Sequence, residues 1–236
     1  MECDGPSTEE PLSQLNLWQW LGVVLSPFLL TVLVLTVVFT ATGGTSPIPQ
    51  LSTGIYSLLS VFVVVLLLRR LSVTARTELF PIRPPTRVEM AATVAAALVT
   101  ILVFDPVATL VTNVFGSGNG TVDSFDSSLG AAIFIISSVV IAPVVEEFLF
   151  RGVALNTLRS KYSMAVAIVG SSILFGGIHL LSGGLSGVTS ATLSGLVYAG
   201  MRIKFENLTG VIIAHALNNL YWVLVIGGIV PNVVPG

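Results

Sequence analysis

An all-α fold, built as a polytopic bundle of about seven transmembrane helices, is what this sequence predicts. The first reason is compositional: 53% of the 236 residues are hydrophobic and 9% are charged, with a mean hydropathy of +0.94. Soluble domains carry about 25% charged residues. The second is that several apolar runs approach or exceed the roughly 20 residues a helix needs to cross a bilayer. The third is that ionisable groups recur inside several of those runs, where they are costly unless they face one another or a cavity.

Polar breaks delimit candidate helices at residues 17–41, 51–71, 88–115, 129–158, 162–182, 187–203 and 207–230. The opening "MECDGPSTEE" has acids but no Lys or Arg, unlike a signal peptide. Residues 1–16 are therefore expected to form a polar tail before a retained first helix. Residues 17–128 supply the N-terminal transmembrane helices, 129–230 a second helical unit and 231–236 a short tail. In the third run Asp105 precedes Pro106. Proline removes a ladder donor and restricts its predecessor, so this run should kink or split into an eighth helix, with Asp105 capping the restart.

Charge placement orients the bundle. Arg69, Arg70, Arg76, Arg83 and Arg87 fall between the second and third runs, whereas "GGTSPIPQ" and "GSGNGTVDSFDSS" contain no basic residue. Basic loops stay in the cytoplasm. Arg159 with Lys161, and Arg202 with Lys204, then fall on that same side, placing the N-terminus inside and the C-terminus outside. The net charge of −2 and the lack of a basic stripe exclude a nucleic-acid partner. The single cysteine, Cys3, excludes an internal disulfide framework and a cysteine metal site. The expected partner is the lipid bilayer.

The stretch "IAPVVEEFLFRG" (141–152) places three charges inside the fourth run. Each would cost at least about 2.5 to 3.5 kcal/mol at the bilayer centre. Glu147 and Arg151 are four residues apart and can pair on one helix face. Glu146 points about 100° away and is left without that partner. The protein's two histidines, His179 in "ILFGGIHLLSG" and His215 in "VIIAHALNNLYW", lie in apolar runs. Asn219 shares a face with His215, whereas Asn218 points elsewhere. Measured at about 1.5 Å per residue from the basic ends, Glu146 and His215 sit about 18 Å deep and His179 about 25 Å. One polar layer can hold them all.

Other residues read as structural. Gly176, Gly177, Gly183, Gly184, Gly187, Gly195 and Gly200 suit close helix packing. Trp18, Trp20, Tyr221 and Trp222 suit membrane interfaces or the core. Asn119-Gly120-Thr121 fits a glycosylation sequon to which no function is assigned.

Taken in order, Glu146-Glu147-x-x-x-Arg151, Phe175-x-x-x-His179 and His215-x-x-x-Asn219 resemble the motifs of the CAAX protease and bacteriocin-processing family of intramembrane endopeptidases. The similarity covers residues 129 to 230; the N-terminal half matches only in being helical. The resemblance implies a helical bundle enclosing a polar intramembrane cavity between the motif-bearing helices, and a membrane-associated or lipidated peptide or protein as substrate. It also implies Glu146 as the base that activates water, His179 holding that water, His215 and Asn219 stabilising the oxyanion, and Glu147 and Arg151 positioning the site. H-E-x-x-H is absent, and a metal-free mechanism is favoured because using both histidines as ligands would leave Asn219 as the sole oxyanion donor; zinc on Glu146, His179 and His215 is the alternative mechanism. Two other classes compete: a proton-coupled transporter using the same groups as a relay, and a non-catalytic membrane scaffold or bacteriocin-immunity protein.

Overall fold

A computed structural model describes residues 17–44, 49–115, 125 and 127–232. The acidic tail with Cys3, the sequon at Asn119 and the last four residues lie outside them. The described residues form eight helices and no strand. They are α1 (Leu17–Ala41), α2 (Pro49–Arg70), α3 (Val73–Leu79), α4 (Arg87–Phe115), α5 (Ser128–Arg159), α6 (Met164–Gly177), α7 (Leu180–Phe205) and α8 (Thr209–Ile226). Six of these, all but α3 and α6, are long and apolar enough to cross a membrane. The chain is an integral multi-pass membrane protein.

Two expectations are corrected. The run at 162–182 was expected to form one helix, but it is divided: α6 has 14 residues, about 21 Å, and a turn and the start of α7 make up the rest. Glycines cause the early stop. The chain turns at Ile178 and His179 and reverses at Gly184, whose φ of +56° is open to glycine alone at little cost. The reversal lays α7 antiparallel on α6. Gly176 there admits Thr192 and the Val188 carbonyl where a side chain would sit, and Gly195 lies against Ser172.

The second correction concerns Asp105 and Pro106. The helix neither splits nor restarts there, because π-helical geometry over Thr100–Phe104 widens the ladder just before the proline. That extra residue accommodates the carbonyl four positions back, with which a proline ring would clash. The same device recurs in α5, where the π-helical Ile136–Ile141 precedes Pro143. Asp105 is no cap. Its buried carboxylate accepts from Ser190 on α7, and from the Trp222 indole on α8 at 3.0 Å.

The basic loops meet at one end of the bundle. The stretch expected to be a loop contains α3, which Ser72 caps and which buries Ala75 and Leu79. Arg83 pairs with Glu89 at 2.8 Å and donates to the Phe205 carbonyl. Arg202 donates to the Glu78 carbonyl, and Leu208 N–H donates to the Pro81 carbonyl. The start of α1 belongs to this end too, since Trp20 and Val24 border Ala154 and Leu158 of α5. Helix α8 starts here, with Gly210 against Thr93 of α4, and runs away from it. The two ends of the described bundle are thus opposite. Trp18 is exposed whereas Trp20 is core.

Candidate active site

Helix α5 carries the charged cluster on a deformed turn. Ordinary α-helix through Glu147 gives way to π-helical geometry over Phe148–Ala154. Such widened turns need tertiary support and often occur at functional sites. Here the support is packing: Leu149, Phe150 and Val153 are all fully buried.

Glu147 and Arg151 pair as their spacing predicts. Arg151 Nη1 donates to Glu147 Oε1 at 3.0 Å, with both side chains fully buried. The rest of the guanidinium lies between aromatic faces, 4.2 Å from the centre of the Phe175 ring and 5.4 Å from that of Tyr198. A desolvated guanidinium over an aromatic face gains about 2 kcal/mol. Gly195 keeps the pocket open, since a Cβ there would come within 3.3 Å of Arg151 Nη2.

His215 joins this pair, which the sequence did not announce. Its Nδ1 lies 2.9 Å from the same Glu147 oxygen. A carboxylate accepts, so Nδ1 donates and the ring is fixed. Nε2 then faces Glu146, whose Oε2 is 3.7 Å away. Tyr198 stacks on the imidazole at 5.9 Å between ring centres. The histidine on α8 is therefore held by one glutamate and presented to the other.

His179 occupies the turn between α6 and α7. Its Nδ1 is 2.9 Å from the Phe175 carbonyl. A carbonyl can only accept, so Nδ1 carries the proton and Nε2 the lone pair. Phe175 links the two histidines, with its ring edge-on to His179 at 4.9 Å and to His215 at 5.6 Å. Asn219 differs from expectation in its contact, donating to the Ser138 carbonyl in the π-helical turn of α5 at 2.7 Å. One amide N–H remains for other use.

Sequence reading missed two tyrosines. Tyr198 is the stacking partner just described. Tyr56, on α2, packs half-buried against the same core cluster. Both were visible only as single polar atoms within apolar runs, "GIYSLLS" and "LVYAG". Among the described residues, no group of three His, Cys, Asp or Glu side chains is placed to hold a metal ion.

Residues 128–221 match the family model of the Type II CAAX prenyl endopeptidase, Rce1-like. The matched stretch contains Glu146, Glu147, Arg151, His179, His215 and Asn219, so the resemblance carried by the three motifs is borne out. No curated protein and no solved structure matches the chain. The matching family is one of proteases, which supports a CAAX-type intramembrane peptidase activity in general terms.

Proposed function

We propose that this protein is an intramembrane endopeptidase that cleaves a membrane-associated or lipidated peptide or protein by glutamate-activated water. One observation carries the reading: His215 is clamped by Glu147 at 2.9 Å while its other nitrogen faces Glu146 at 3.7 Å, all within apolar helices. Helix packing alone would need only one buried pair.

Glu146 is the general base. It takes a proton from water as the water oxygen attacks the scissile carbonyl carbon. His179 Nε2, the nitrogen left free by the ring's bond to the Phe175 carbonyl, accepts a hydrogen bond from the other O–H of that water, which stays on the tetrahedral intermediate. The carbonyl electrons move onto oxygen, where His215 Nε2–H and the second N–H of Asn219 stabilise them. Each such donor in a dry site contributes about 2.7 to 4 kcal/mol. Donation from Nε2 uses the doubly protonated ring, whose charge the carboxylates on either side balance. Collapse breaks the C–N bond, and Glu146 passes its proton to the leaving amine. Glu147 and Arg151 hold the assembly in place.

The mechanism proposed is metal-free, and no step in it passes through zinc. The basic end lies in the cytoplasm under the positive-inside rule, with the N-terminus there and the C-terminus across the membrane. The test is cleavage of an internally quenched farnesylated peptide by purified protein in detergent. Cleavage that disappears in Glu146→Gln supports the reading. Proton flux in liposomes without any cleavage would replace it with the relay of a transporter.

A further inference from the structure

One buried carboxylate has no part in the mechanism above. Asp105 is 4% exposed, deep in α4, where an ionisable group is costly and points to function. We propose that Asp105 is a positioning residue for the catalytic layer, holding α7 and α8, and through them Tyr198 and His215, in the arrangement that turnover needs. This rests on the mechanism proposed for Glu146 and His215.

The carboxylate divides its contacts between its two oxygens. Oδ1 accepts from the Ser190 hydroxyl of α7, and Oδ2 accepts from the Trp222 indole of α8 at 3.0 Å. Each oxygen holds one helix. Helix α4 is the neighbour both share, since α7 packs mainly on α6 and α4, and α8 on α4 and α5. The π-helical turn Thr100–Phe104 ends at Asp105, whose N–H donates to the Thr100 carbonyl, and widened turns of this kind often mark functional sites. Position along α8 gives the contact its reach. Trp222 follows His215 by seven residues, two turns, so both lie on one face about 10.5 Å apart. Between Trp222 and the catalytic layer, Asn219 donates to the Ser138 carbonyl at 2.7 Å, and His215 Nδ1 donates to Glu147 at 2.9 Å. Those bonds tie α8 to α5. The Trp222 bond ties it to α4 as well, which fixes the roll of α8 about its axis and keeps His215 Nε2 turned toward Glu146. On α7, Ser190 precedes by eight residues Tyr198, which stacks on the His215 ring.

The experiment measures kcat, KM and Tm on the quenched farnesylated peptide for Asp105→Leu, Asp105→Asn, Trp222→Phe, the double variant Asp105→Leu with Trp222→Phe, and Glu146→Gln. Thr112→Val is the control, a buried threonine of α4 whose hydroxyl donates within its own helix. Asp105→Leu and Trp222→Phe should each lower kcat by about tenfold to a hundredfold, the scale of a misplacement of about 1 Å arising away from the chemistry. KM should stay within about twofold. The double variant should fall no further than Asp105→Leu alone, because the same contact is lost in all three. Asp105→Asn should keep most of the wild-type kcat, since its amide oxygen accepts from Trp222 while its N–H donates to Ser190. Thr112→Val should keep kcat. Trp222→Phe retains most of the ring packing, so it reads the link even where Asp105→Leu does not fold. Normal kcat in folded Trp222→Phe, with or without a lowered Tm, would make Asp105 a packing residue and overturn the proposal. Losses that simply add in the double variant would overturn it too. An Asp105→Asn as inactive as Asp105→Leu would show that the ionisable carboxylate matters rather than the position it holds. An active Glu146→Gln would instead remove the mechanism beneath it.

Discussion

Arg151 and His215 bind the same atom, Oε1 of Glu147, at 3.0 and 2.9 Å from two different helices. That oxygen, on a fully buried side chain, joins α5 to α8. Glu147→Gln should therefore lower stability by about 3 to 5 kcal/mol, the cost of leaving a buried charge unpaired. Thermal melting in one detergent measures this. Adding Arg151→Met should recover most of the stability and none of the activity, because His215 stays unclamped.

Metal removal gives a second prediction. With Nδ1 of His179 bound to a backbone carbonyl and Nδ1 of His215 to Glu147, each histidine has a role without an ion. Hydrolysis should survive prolonged chelation. Loss of activity, restored by one equivalent of zinc, would make these residues ligands.

Topology supplies the third. The bundle's basic loops share one end, and its two ends are opposite. Reporter fusions should report the N-terminus in the cytoplasm and the C-terminus outside. Both termini on one side would mean that α6, at 14 residues, does not carry the chain across.

How much of this was legible in the sequence follows from the range of the forces involved. The Glu147–Arg151 pair was readable because both partners lie on one helix, four residues apart. The long helices were readable because their apolar runs exceed any alternative. Contacts between helices were not: His215 to Glu147 spans 68 residues and Trp222 to Asp105 spans 117. Only the packed bundle decides them. Asp105 looked like a cap because proline normally ends a helix, and the widened turn that spares this one leaves no mark in composition. The early stop of α6 was hidden for a related reason: Gly176, Gly177, Gly183 and Gly184 suit both a packed helix and a turn.

The most direct test of the central claim compares Glu146→Gln with Glu147→Gln, for turnover and melting temperature in the same detergent. Glu146→Gln keeps shape and removes basicity, so turnover should vanish while Tm stays near that of wild type. Glu147→Gln should lose stability and activity together, since its oxygen holds Arg151 and His215 at once. Near-full turnover in Glu146→Gln, with a stable but inactive Glu147→Gln, would contradict the account and exchange the two roles.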